Sequence, residues 1–147
     1  MKPLQIEGSP DEEDLVRVQN MLVKLGVCLD RIVRNGFLEW NADLSKARWT
    51  QQGEEPAHVG ESGWVLHHPD IMILDPLDRT RVKCIIEIDG SAHNDRPGRR
   101  RTYKRDLNYD EMEIPWVFKI ERKPKDDTWY DKLEEMFTDF LGSHTTF

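Results

Sequence analysis

Residues 83–95 read KCIIEIDGSAHND. The apolar run has the length and β-branched content of a buried strand, and it stops at Gly90. Yet it carries Glu87 and Asp89 inside the run, with His93 just beyond the glycine. Side chains alternate across a strand, so Val82, Cys84, Ile86 and Ile88 form one apolar face. Lys83, Ile85, Glu87 and Asp89 form the other, with the two acids about 7 Å apart along it. Like charges that close repel, and burial sharpens the repulsion, so a cation or a proton has to compensate.

A third acid joins them from the preceding run. WVLHHPDIMILD, residues 64–75, reads as a strand whose early part is weakened by Pro69, and DPLDRT, residues 75–80, reads as a turn. If the flanking runs pair as a hairpin, Asp70 and Glu87 are equally far from the turn and lie opposite each other, with β-carbons about 5 Å apart. Carboxylates, a backbone carbonyl and waters are the ligands Mg²⁺ prefers. The alternative is structural: Asp70 caps a turn, Glu87 pairs with Lys83 or an arginine, and Asp89-Gly90 is a simple turn.

The segment RPGRRRTYKR, residues 96–105, holds six basic residues and no acid, although the formal net charge is −7. A helix is expected over residues 99–113, with Tyr103, Leu107 and Asp110 on one face and Arg99, Arg100 and Arg101 in its first turn. Cations there cost about 0.3–1 kcal/mol each, so stability does not select them. A phosphate backbone would use both the arginines and the helix terminus. The competing reading is a solvated loop with a later helix start. His93 is a candidate proton-transfer group near such a site, and His67 and His68 are weaker ones.

The remainder of the chain reads as one domain over residues 1–147, one third charged and 37% hydrophobic. Ser9-Pro10-Asp11-Glu12 reads as a capped helix start, followed by Leu15, Val18, Leu22 and Leu25 and stopped at Gly26. Asn35-Gly36 inside RIVRNGFLEW, residues 31–40, predicts a hairpin. Residues 41–63 read as a long loop or irregular hairpin. WVFKI, residues 116–120, is a further strand. TWYDKLEEMFTDFL, residues 128–141, is an amphipathic helix with Trp129, Leu133, Met136, Phe137 and Phe140 inward. Helices flanking one sheet give an α/β or α+β architecture. No run is apolar enough to span a membrane or to form a signal peptide's core, so a cytoplasmic chain without a membrane partner is expected. Cys28 and Cys84 form no metal or disulfide pattern.

HPDIMIL, residues 68–74, followed by IIEIDG, residues 85–90, resembles the PD-(D/E)xK nuclease superfamily. The form EIDGSAH with a basic helix containing Lys104-Arg105-Asp106 is most similar to the branch of very-short-patch repair endonucleases. The resemblance covers roughly residues 11–120. It implies a restriction-endonuclease-like αβββαβ core with a mixed central sheet flanked by helices. It implies a Mg²⁺-dependent endonuclease acting on DNA, with Mn²⁺ substituting. Asp70, Glu87 and the Ile88 carbonyl would hold the metal, with Asp89 and His93 joining Asp70 and Glu87 in catalysis. Arg96, Arg99, Arg100, Arg101, Lys104 and Arg105 would contact the nucleic acid. Asp89 stands where the superfamily has its lysine, and Lys104 or Lys119 is the candidate for a migrated one. Glu12 or Glu13 is the candidate for an additional acid from the first helix. Two other readings remain: a catalytically inactive nuclease-fold module that binds nucleic acid or a partner protein, and a structural domain whose acids and arginines neutralise each other. A homodimer is the arrangement by which one site per chain would cut both strands, and no residue marks its interface.

Overall fold

The computed structural model describes residues 10–89, 96–123 and 125–147, without the side chains of residues 96–98. The first helix, α1 (Glu12–Lys24), begins two residues later than expected. Asp11 is the N-cap and exchanges hydrogen bonds with Asp14, because a carboxylate reaches the third helical N–H as well as a hydroxyl does. Ser9, the expected cap, lies outside the described residues. Leu15, Val18, Met21 and Leu22 are buried, and Gly26, at φ +106°, stops the helix.

Among the described residues, seven strands follow in two sheets. The strands β1 (Ile32–Arg34), β5 (Ile71–Leu74), β6 (Val82–Asp89) and β7 (Trp116–Glu121) form a mixed sheet in the order β1-β5-β6-β7. Pairings β1–β5 and β5–β6 are antiparallel, and β6–β7 is parallel. The parallel pair is joined by helix α2 (Arg96–Glu111), as a parallel connection requires. A smaller antiparallel sheet, ordered β3-β2-β4, consists of β2 (Phe37–Asn41), β3 (Lys46–Thr50) and β4 (Trp64–His67). The last helix is α3 (Thr128–Ser143). With the small sheet set aside as an insertion between β1 and β5, the order is α-β-β-β-α-β, then α3.

The protein is therefore a mixed α/β fold with a central sheet covered on both faces and, among the described residues, three α-helices. On one face Cys84, Ile86 and Ile88 pack with Leu15, Val18 and Leu22 of α1 and with Trp129, Leu133 and Phe137 of α3. On the other, Met72, Leu74 and Ile85 meet Leu38 of the small sheet and Tyr109 of α2. Both faces of β6 are thus covered, which is why the centre of its run, Cys84 to Ile86, is apolar on both faces. Among the described residues no helix is long and apolar enough to cross a membrane.

Two expectations need correction, and a third is settled between its alternatives. The Asn35-Gly36 turn forms no hairpin: β1 pairs with β5, and β2 pairs with β3 and β4. Asn35 does adopt the left-handed backbone that Asn-Gly favours, at φ 53°, but its N–H binds the Asp70 carbonyl and the chain leaves one sheet for the other. Of the two readings of residues 41–63, loop or irregular hairpin, residues 46–50 follow the second: they are a strand paired antiparallel with β2, weakly signalled because most of its side chains are exposed. The remaining irregular segment is pinned by buried Glu39, whose carboxylate accepts the N–H groups of Ala57 and His58 at 3.0 and 2.7 Å. Finally, a bulge shifts the β5–β6 register so that Leu74 pairs with Val82. Lys83 therefore lies on the Cys84 face, with its ammonium over the Trp116 and Phe147 rings.

Gly36 sits in close contact with residues of both sheets. A β-carbon there would sit 2.5 Å from the Thr50 carbonyl oxygen and 2.7 Å from Val33 Cγ1. Gly36→Ala is expected to destabilise the protein by about 1–3 kcal/mol in urea unfolding. A change within about 0.5 kcal/mol, typical of surface substitutions, would show that the sheets do not meet there.

Candidate metal centre and acidic cluster

The β5–β6 register places Ile71 opposite Ile86, so Asp70 falls opposite Glu87 at the open end of the hairpin. Both side chains project toward the face covered by α2, two residues from Met72 and Ile85 respectively. Asp70 Oδ2 accepts the Ile88 N–H at 2.6 Å. Because a strand residue directs its N–H and C=O to the same neighbour, the Ile88 carbonyl also faces the Asp70 side. Asp70, Glu87 and the Ile88 main chain therefore lie at the same end of the β5–β6 pair.

Helix α2 supplies what surrounds them. Glu87 is buried; its Oε1 accepts the Tyr109 hydroxyl at 2.9 Å, and its Oε2 lies 3.4 Å from Arg105 Nη1. The same Nη1 is 3.3 Å from Asp89 Oδ1. The other edge of the Arg105 guanidinium, Nε and Nη2, rests on Asp106 Oδ1 at 3.4 and 3.3 Å. Asp106 Oδ2 in turn binds Lys119 Nζ. Lys119 lies beside Glu87 in the parallel β6–β7 register, so it approaches the acids from the neighbouring strand.

Within the set Asp70, Glu87, Asp89, Asp106, Arg105 and Lys119, four carboxyls meet two cations. Full ionisation leaves an excess of two negative charges. Burial, opposed by the Ile88 N–H and reinforced by Asp89, lifts the Asp70 pKa to about 7. Burial and the Asp70 charge push Glu87 well above the usual carboxyl range. A divalent cation matches both the charge excess and the oxygen donors. The oxygens are not already arranged around a cavity: among the described residues no group of three or more His, Cys, Asp and Glu side chains is set to hold a metal ion. Arg105 stands between Glu87 and Asp89.

The other candidate residues separate. Gly90 and His93 lie outside the described residues, as does the side chain of Arg96. Arg99, Arg100, Arg101 and Lys104 are exposed, whereas Arg105 is turned into the cluster. Helix α2 starts at Arg96, so Arg99 closes its first turn, whereas Arg100 and Arg101 fall in the second rather than the first. Its expected inner face is also corrected: Tyr103 and Leu107 are exposed at 66% and 44%, and the inward side chains are Arg105 and Tyr109. Glu12 pairs with Arg34, and Glu13 is exposed.

His67, at the end of β4, packs edge-on against Tyr109, with ring centroids 5.5 Å apart. Its Nε2 accepts the Asn108 amide at 2.8 Å. Burial, helped by Arg105, lowers its pKa to about 4, so it is a neutral wall of the site. His68 donates from Nε2 to the Asn35 carbonyl at 3.0 Å and stacks on Phe37. The sequence reading missed Tyr109 and Asp106. The signal was the spacing of Arg105 and Tyr109, four apart on one helical face.

In comparisons with known proteins, no family model matches this chain, and no curated protein and no solved structure matches it.

The raised Asp70 pKa has a measurable consequence. The folded protein retains a proton that an unfolded aspartate releases near its ordinary pKa of 3.8. That proton's stabilising share is complete below this value and lost as pH rises through about 7. Wild-type stability should therefore fall across that interval, in unfolding experiments at stepped pH. Asp70→Asn, whose amide oxygen can still accept the Ile88 N–H, should show a shallower fall and exceed the wild type above pH 7. An identical slope in both proteins would mean that Asp70 titrates normally.

Proposed function

We propose that this chain is a metal-dependent endonuclease that hydrolyses phosphodiester bonds in DNA, with a PD-(D/E)xK, restriction-endonuclease-like core. The observation that carries this reading is the pairing of Asp70 and Glu87 across adjacent strands, two carboxyls held together against their own repulsion. Stability alone does not favour such a pair. The α-β-β-β-α-β order and the mixed sheet agree with the proposed core.

Asp70, Glu87 and the Ile88 carbonyl would hold Mg²⁺, or Mn²⁺ in its place. The bound cation would supply Lewis acidity toward water and the phosphoryl oxygens. Tyr109 fixes the Glu87 carboxylate by its hydroxyl, and the Ile88 N–H fixes that of Asp70. Lys119 takes the part of the migrated lysine, near the acids on β7, while Lys104 is on the exposed side of α2. Asp89 adds charge at the rim of the cluster, and His93 is the proposed proton-transfer group. The exposed row of Arg99, Arg100, Arg101 and Lys104 faces solvent with Tyr103 among it, a composition suited to a sugar-phosphate backbone.

A second reading, an inactive nuclease-fold module that binds nucleic acid or a partner protein, is favoured by one observation: Arg105 already satisfies part of the charge of Glu87 and Asp89. The two differ in a cleavage assay on supercoiled plasmid, linear duplex and single-stranded DNA. The nuclease reading expects Mg²⁺- or Mn²⁺-dependent cutting, abolished by EDTA and reduced at least about a hundredfold by Asp70→Ala. DNA binding that weakens with salt, without cutting under any metal, would leave the inactive module.

A further inference from the structure

Arg105 occupies the acidic cluster in an unusual way. Its contacts with Glu87 and Asp89, at 3.4 and 3.3 Å, lie at the long end of hydrogen-bonding distance. One nitrogen, Nη1, serves both acids, so neither pair has the bidentate geometry that makes arginine–carboxylate bonds strong. The opposite edge of the guanidinium is held by Asp106, and Asp106 is held by Lys119. The guanidinium can thus leave Glu87 and Asp89 and keep Asp106 as its partner. Arg101, one helical turn earlier, is exposed on the same side of α2. The space beyond the cluster therefore already favours an anion.

We propose that Arg105 is a displaceable counter-ion that closes the acidic cluster to metal, so that the guanidinium and a divalent cation exclude one another at Glu87 and Asp89. The proposal rests on the nuclease reading and adds its regulation: the cluster is loaded only when Arg105 swings toward the exposed arginines, where a phosphodiester would hold it. The positive charge of Arg105 also repels an incoming cation directly, at a separation where Coulomb interactions are large.

The test is Mn²⁺ binding to the full chain, followed by the loss of the free-ion electron paramagnetic resonance signal. Wild type, Arg105→Ala, Arg105→Gln and Glu87→Gln are compared without DNA. Removing a cation also raises the carboxyl pKa values, so the titrations are run at about pH 8.5 to limit proton competition. Both Arg105 variants are expected to bind Mn²⁺ about tenfold or more tightly than the wild type, and Glu87→Gln to lose binding. The glutamine variant retains a donor for Asp106, and circular dichroism of each variant confirms folding before titration. Equal or weaker binding in folded Arg105 variants would overturn the proposal and leave the nuclease reading to the cleavage assay. No binding by any form would overturn the counter-ion proposal and the metal site together.

Discussion

The arrangement depends on one unfavourable contact, the approach of Asp70 to Glu87 across the β5–β6 hairpin. Burial raises the pKa of both carboxyls, the Asp70 charge raises that of Glu87 further, and the polar groups nearby answer to them. The Ile88 N–H holds Asp70, the Tyr109 hydroxyl holds Glu87, and Arg105 spans from Glu87 to Asp89. Helix α2 lies over the sheet with Arg105 and Tyr109 inward because the acids beneath it require donors. A helix placed only for apolar packing would have turned Tyr103 and Leu107 toward the sheet instead.

The rest of the fold keeps these acids in position. The opposite face of β6 is packed against α1 and α3 by Cys84, Ile86 and Ile88, which fixes the strand from behind. The parallel β6–β7 pair sets Lys119 beside Glu87. The small sheet contributes His67, held neutral and edge-on to Tyr109. Asn35 ties the β1–β2 crossing to Asp70 through the Asp70 carbonyl, so the residue is held from main chain and side chain alike.

The acids were legible in the sequence because a carboxylate within an apolar β run breaks the rule that governs every neighbouring position, and because the turn at residues 75–80 fixed their register by symmetry. Helices α1 and α3 were legible from their apolar spacing. What misled was local chemistry that two partners can satisfy. Asn35-Gly36 sets the same backbone whether the chain reverses within one sheet or crosses to another, and only the later strands determine which. The inner face of α2 was misread for a related reason: an apolar period identifies the buried face only when the covered surface is apolar. Here it is acidic, so Arg105 and Tyr109 turn inward, and neither is conspicuous among six basic residues in ten.

The central claim is that Asp70 and Glu87 form one coupled cation site. It is tested most directly by following their carboxyl ¹³C resonances with pH, with and without Mg²⁺. The account predicts that Asp70 titrates near 7 in the absence of metal, that Glu87 titrates well above the ordinary carboxyl range, and that saturating Mg²⁺ moves both downward. Ordinary carboxyl titrations at both positions, unmoved by Mg²⁺, would contradict it.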